Sequence, residues 1–105
     1  MSYLPEMTRV QTMDDIRSYG SKVLQIILYG SHARGEATSE SDVDFLVVVA
    51  DSLDPWEVRR SLDDVLLDIL LRQGRLISIV VVPKSLYENY NFPFLIQIRQ
   101  EGIPL

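Results

Sequence analysis

The chain has 105 residues, of which 47% are hydrophobic and 24% charged, and this balance is typical of a folded globular protein rather than a disordered one. The length suits one domain over residues 1–105 and is too short for a second core. A formal net charge of -5 argues against a protein that coats nucleic acid, since that affinity comes largely from Lys and Arg.

The chain contains no cysteine and one histidine. The lack of cysteine excludes a disulfide framework, and the small number of histidine and cysteine ligands argues against a zinc site. Its apolar runs, such as residues 23–29 and 45–50, are far shorter than the roughly 20 residues that span a bilayer. Residues 1–10 lack the apolar core of a signal peptide. We therefore expect a cytoplasmic protein without membrane contact that folds alone or with one partner. An oligomer is left open.

The first predicted elements are a short helix and two strands. The helix covers residues 13–19, with Thr12 and Asp15 as a weak capping box. The nearly continuous apolar run Val23–Tyr29 predicts a strand that is covered on both faces, and Phe45–Val49 predicts a second strand of the same kind. The polar segment between these strands is long enough to be either functional or disordered.

The second half of the chain predicts a long helix, a third strand and two short helices. The long helix begins at Asp54–Pro55, an N-cap followed by proline, and ends near Gln73. Its apolar residues recur at helical spacing and face the sheet; they are Val58, Leu62, Val65, Leu66 and Ile69. The third strand covers residues 76–82, and the short helices cover 85–90 and 94–100. This order predicts an α/β (α+β) fold with helices packed on a three-stranded mixed sheet.

The segment from Gly30 to Asp44 is the candidate functional site. Gly30 and Ser31 follow the first strand, where small residues let the backbone approach a ligand and offer amide groups to an anion. Phosphate is the expected ligand, and Arg34 would contribute a cation.

Asp42 and Asp44 stand two positions apart at the start of the second strand, so their carboxylates project to the same side, while Val43 and Phe45 point into the core. Paired carboxylates beside a phosphate loop suit Mg²⁺, which completes its shell with water and substrate oxygens. In a two-metal scheme one ion holds the triphosphate and the other activates the attacking hydroxyl. A simple turn rich in Gly, Ser and Asp explains each piece alone, whereas the combination favours a site.

The arrangement of Gly30-Ser31, ten intervening residues and Asp42-Val43-Asp44, with Arg34-Gly35 and Ser41 in place, resembles the signature of the DNA polymerase β-like nucleotidyltransferase superfamily. Within it, the chain is most similar to the minimal nucleotidyltransferases of prokaryotes, the MntA-type proteins. The likeness extends over almost the whole chain, including its ending, Ile98–Leu105.

The resemblance implies a nucleotidyltransferase fold and a reaction that transfers a nucleoside monophosphate, expected to be AMP from ATP, to an acceptor hydroxyl. It implies that Asp42 and Asp44 bind Mg²⁺ and carry catalysis. The implied nucleotide-binding residues are Gly30, Ser31, Arg34 and Ser41. Many such proteins are antitoxins that silence a HEPN-domain ribonuclease by binding it or by adenylylating a tyrosine, so a HEPN-domain protein is the expected partner.

One position departs from the family pattern. Active members carry a third carboxylate on the third strand, and the matching residue here is Ser78, which is neither a carboxylate base nor a strong metal ligand. Glu36 and Asp68 are the candidates to replace it. The leading hypothesis is an enzyme that modifies a protein partner; the alternatives are an inactive antitoxin that acts by occlusion and a nucleotide sensor.

Three further features have competing interpretations. His32 lies in the phosphate loop, where it either contacts a nucleotide or is a variable loop position, and we favour the second interpretation. Trp56, Leu67 and Leu71 form a second apolar stripe on the long helix, which either contacts a partner or is covered by a terminal segment. Four aromatic residues precede the last helix, and we expect them to anchor it to the sheet rather than to stack on a base; they are Tyr87, Tyr90, Phe92 and Phe94.

Overall fold

A computed structural model describes residues 13–38 and 41–105. Residues 13–17 are helical (α1) and a short 3-10 turn, Gly20–Lys22, leads into the first strand. Thr12, the predicted cap, lies outside the described residues. The other elements are β1 (Val23–Tyr29), α2 (Ser31–Arg34), β2 (Val43–Val49), α3 (Pro55–Ser61), α4 (Asp63–Gln73), β3 (Ile77–Pro83), α5 (Lys84–Asn89), α6 (Pro93–Glu101) and β4 (Ile103–Pro104). In the part of the chain that the structure describes, no helix is long and apolar enough to cross a membrane.

The strands form a single sheet in the order β3-β2-β1-β4. β1 pairs antiparallel with β2 and β4, while β2 and β3 are parallel. The predicted mixed sheet with packed helices is therefore confirmed, but its strand number was wrong: the sheet has four strands, not three. The missed strand, Ile103–Pro104, has only two residues, which is too short to show a strand pattern in the sequence.

The two faces of the sheet carry separate layers of helices. β2 is central and almost entirely buried, which explains why it is apolar at both odd and even positions. Helices α1, α3 and α4 contribute Ile16, Val58 and Ile69 to the core on one face. Helix α6 covers the other face through Leu95 and Ile98.

The predicted long helix is divided at Leu62, where α3 ends and α4 begins. The Ser61 hydroxyl donates to the Val58 carbonyl at 2.8 Å, and such back-bonding competes with the helical hydrogen bonds and bends helices. The predicted start is confirmed, because the Asp54 side chain accepts from the Trp56 amide at 2.9 Å. The predicted core face is also confirmed, since its residues are buried apart from Val65, which is partly buried.

Candidate functional site

The turn after β1 places Gly30 directly against Asp44. Gly30 has φ 75° and ψ -154°, a conformation that essentially only glycine adopts. A Cβ atom at this position would lie 2.6 Å from Oδ2 of Asp44, too close for any side chain. Glycine thus allows the carboxylate at the start of β2 to touch the backbone at the end of β1.

The segment after Gly30 forms a single helical turn, Ser31–Arg34, closed by backbone hydrogen bonds. The Arg34 amide donates to the Gly30 carbonyl at 3.1 Å, and the Glu36 amide donates to the Ser31 carbonyl at 3.0 Å. The first amides of a helical turn have no acceptor within the helix. Such a turn therefore offers N–H groups beside the Asp44 carboxylate, which is the arrangement that the sequence predicts for a phosphate.

Tyr29, Asp44 and Ser78 form a row across β1, β2 and β3. Asp44 pairs in register with Tyr29 on one side and with Ser78 on the other, and residues in register on neighbouring strands share a face of the sheet. Ser78 is exposed and lies at the place where the resemblance implies a third carboxylate. Among residues 13–38 and 41–105, no three His, Cys, Asp or Glu side chains form a group that could hold a metal ion.

Neither suggested substitute supplies that carboxylate. Glu36 accepts from Arg34 at 3.0 Å. Asp68 pairs with Arg72 at 2.7 Å on α4, whose buried residues pack against the face of the sheet opposite to that of Asp44. The site therefore contains the two carboxylates predicted from the sequence, Asp42 and Asp44.

The electrostatic environment of Asp44 disfavours its charged form. Burial raises the pKa of the Asp44 carboxyl above its ordinary value, and the negative charge of Asp42 raises it further, while His32 and Arg34 act in the opposite direction. Burial and the charge of Asp44 raise the pKa of Tyr29 to about 12. A divalent cation would relieve the repulsion between the two carboxylates, so oxygen ligands at Asp42 and Asp44 fit Mg²⁺.

The two other residues predicted to bind nucleotide, Arg34 and Ser41, make contacts within the protein. Arg34 forms ion pairs with Glu36 at 3.0 Å and Glu101 at 3.1 Å. The Ser41 hydroxyl accepts from the Thr38 amide at 2.9 Å, and the Ser41 amide donates to the Thr38 carbonyl at 3.1 Å. Ser41 thereby shapes the turn that leads into Asp42. Sequence reasoning missed Glu101, which lies far from the loop in the chain.

The prediction that His32 lies in a loop was wrong. Its side chain is only 3% exposed, because the segment forms a helical turn that packs on β1 and β2. The short polar segment Ser31–Arg34 gave no hydrophobic pattern from which this burial was predictable.

The prediction that the four aromatic residues near α6 anchor this helix to the sheet is confirmed in part. Tyr90, Phe92 and Phe94 are exposed, and the rings of Tyr90 and Phe92 stack with centroids 5.6 Å apart. Phe94 makes an edge contact with Tyr29 at 5.5 Å. Only Tyr87 packs partly against the core. Because Leu95 and Ile98 already fill the space between α6 and the sheet, the aromatic rings remain at the surface.

Comparison with known proteins shows the family of the chain. Residues 11–105 match the family model described as a nucleotidyltransferase domain. The chain belongs to this nucleotidyltransferase family. It is 33% identical over 85 residues to a Methanocaldococcus jannaschii protein named "Putative protein adenylyltransferase MJ0604", a match that covers 80% of this chain and 79% of that protein. The family resemblance predicted from the segment Gly30–Asp44 is confirmed.

Solved structures of toxin-antitoxin complexes share the fold. A chain of a complex crystallised with AMP-PNP superimposes with a TM-score of 0.61 at 20% identity, covering 90% of this chain and 69% of that one. A chain from the complex of a tri-AMPylated Shewanella oneidensis HEPN toxin with its MNT antitoxin gives a TM-score of 0.53 at 18% identity, covering 91% and 69%. At these identities, the likeness establishes the nucleotidyltransferase fold of the present family member.

Proposed function

We propose that this protein is a Mg²⁺-dependent adenylyltransferase that moves AMP from ATP to a hydroxyl group of a protein partner. The observation that carries the proposal is the close approach of Gly30 and Asp44, which brings a phosphate-binding turn and a paired carboxylate together. Membership of the nucleotidyltransferase family supports the general activity, and the relative named as a protein adenylyltransferase supports AMP and a protein acceptor.

The proposal gives each residue a role in binding. Gly30 and Ser31 would bind the triphosphate through the backbone of the turn, and Arg34 would pair with a phosphate oxygen. Asp42 and Asp44 would hold Mg²⁺, which when bound supplies charge neutralisation and activation of the hydroxyl. The acceptor oxygen forms a bond to the α-phosphorus, pyrophosphate leaves, and the hydroxyl proton is released. Ser41 would act by fixing the turn before Asp42.

A HEPN-domain toxin is the proposed acceptor, which makes the protein an antitoxin. The supporting observation is that the present chain shares the fold of a chain from the Shewanella complex, and that this complex contains an AMPylated HEPN toxin. A cytoplasmic location is part of this proposal.

The second candidate is an antitoxin that inhibits its partner by occlusion without transfer. Ser78 favours this alternative, because it lies beside Asp44 at the place of the third carboxylate. The exposed side chains of Trp56 and Leu71, at 77% and 76%, offer a surface for such binding. In this case Asp42 and Asp44 would be dispensable for inhibition.

The experiment that separates these functions is intact-mass spectrometry of a purified HEPN-domain toxin after incubation with this protein, Mg²⁺ and each nucleoside triphosphate in turn. We expect the toxin to gain one or more AMP masses with ATP, and to gain none with the Asp42→Asn, Asp44→Asn variant. Asp64→Asn, an exposed change on α4, is the matched control and should retain transfer. A stable complex without any mass gain would contradict transfer and support occlusion.

A further inference from the structure

Arg34 forms ion pairs with two carboxylates, one close to it in the chain and one distant from it. Its Nε lies 3.0 Å from Oε2 of Glu36 and its Nη1 lies 3.1 Å from Oε1 of Glu101. Glu36 is two residues away in the same loop and its side chain is 67% exposed, so it moves with the loop. Glu101 is 67 positions away at the end of α6, and it is therefore the contact that ties Arg34 to the body of the protein.

Glu101 is itself fixed by the elements around it. Gln97 Nε2 donates to the same Oε1 atom at 3.1 Å. The next residue, Gly102, is so closely packed that a Cβ atom would lie 2.5 Å from both the Ile98 carbonyl oxygen and Cγ2 of Ile27. β4 then pairs with β1, the strand that leads into Gly30. The position of Glu101 relative to the phosphate-binding turn is thus set by the sheet.

We infer that Glu101 is a positioning residue that holds the Arg34 guanidinium beside the phosphate-binding turn for the triphosphate. The inference rests on the proposed function. The two ion pairs leave further N–H donors on Nη1 and Nη2 of Arg34 for phosphate oxygens, and Arg34 is close enough for its charge to act on Asp44. A side chain that is already ordered loses less conformational entropy when it binds a ligand.

The test is the affinity for Mg²⁺-ATP, measured by calorimetry in the full chain. Glu101→Ala should weaken binding about threefold to tenfold, the range expected when one long side chain must be ordered on binding. Glu36→Ala is the matched control, because it removes the same charge from the same guanidinium, and it should leave the affinity unchanged or slightly tighter. In an Arg34→Ala background, Glu101→Ala should have no further effect, since Glu101 acts through Arg34.

A second readout does not depend on nucleotide. The side-chain Nη–H signals of Arg34 in the NMR spectrum should move toward those of a free arginine in Glu101→Ala, because Nη1 is the atom that pairs with Glu101, while the thermal unfolding midpoint shows that the variant is folded. If wild-type protein fails to bind Mg²⁺-ATP, the proposed function and this role both fall. If ATP binds normally but Glu101→Ala changes neither the Arg34 signal nor the affinity, only the positioning role is overturned.

Discussion

Gly30 combines two constraints that act on different properties of the protein. Its positive φ costs any other residue about 1–3 kcal/mol, and a Cβ atom would also displace the Asp44 carboxylate. We expect Gly30→Ala to lower stability by that amount in urea denaturation and to abolish Mg²⁺-ATP binding. Gly20→Ala provides the control, because Gly20 has φ 70° but nothing within 4 Å of the added Cβ. Equal nucleotide binding by the two variants would contradict the assignment of Gly30 to the site.

We expect the charged form of Asp44 to lower the stability of the native protein. Since its pKa is raised in the native state, the native protein binds this proton more tightly than the unfolded chain does. The stability it contributes is therefore present in acid and is lost as the pH rises from about 4 through the native pKa. Asp44→Asn should raise the unfolding temperature at pH 7 but not at pH 3, as measured by calorimetry.

Addition of Mg²⁺ provides a second test of Asp44. A cation that binds only the native state stabilises it, so Mg²⁺ should raise the unfolding temperature of the wild type and leave that of Asp44→Asn unchanged. Asp64→Asn should behave like the wild type in both experiments. If Mg²⁺ does not change the unfolding temperature of the wild type, Asp44 is excluded as a metal ligand.

At the scale of the elements, the hydrophobic pattern predicted which strands and helices form the core. It did not predict features that depend on hydrogen bonds or on contacts between elements. β1, β2 and β3 are largely apolar, and each was predicted within about two residues at either end. The division of the long helix at Leu62 was not predictable, because it depends on a Ser61 hydroxyl hydrogen bond within a sequence of good helical spacing. β4 was missed because its two residues pair with β1 only once α6 has brought the chain back to the sheet.

The junction of α6 and β4 yields a prediction for the C-terminal elements. A methyl group at Gly102 would meet the Ile98 backbone oxygen at 2.5 Å, and backbone cannot move aside as a flexible side chain can. Gly102→Ala should therefore destabilise the protein by about 1–3 kcal/mol in urea denaturation. Gln100→Ala, at an exposed position of the same helix, should change stability by less than about 0.5 kcal/mol. Unchanged stability in Gly102→Ala would show that β4 is not closely packed on β1.

Considered as a whole molecule, the protein carries its candidate site on different elements from Trp56 and Leu71, which are the most exposed of the large apolar side chains in residues 13–38 and 41–105. The sequence predicted the convergence of Gly30, Asp42 and Asp44, because these residues lie at the facing ends of two adjacent strands. It did not predict the contact of Arg34 with Glu101, which requires the sheet to bring distant parts of the chain together. Nor did it predict the hydrogen bond between Ser41 and Thr38.

The exposed apolar side chains predict a partner surface that is separable from catalysis. Trp56→Ala together with Leu71→Ala should weaken binding of a HEPN-domain toxin by at least about tenfold, since large exposed aromatic residues often dominate interfaces, while Mg²⁺-ATP affinity stays the same. Titration calorimetry measures both. Leu24→Ala, an exposed apolar change on β1, is the control and should bind the toxin normally. Undiminished toxin binding by the double variant would place the interface elsewhere.

The exposure of Ser78 has a consequence for how the chemistry of this site can be altered. Position 78 lies at the surface beside Asp44 and outside both cores, so the fold constrains it little and either a serine or an aspartate is sterically acceptable there. Ser78→Asp would therefore add a carboxylate next to Asp44 without repacking of the interior. The carboxylates of the site and the exposed side chains of Trp56 and Leu71 can then be changed independently of each other on the same scaffold.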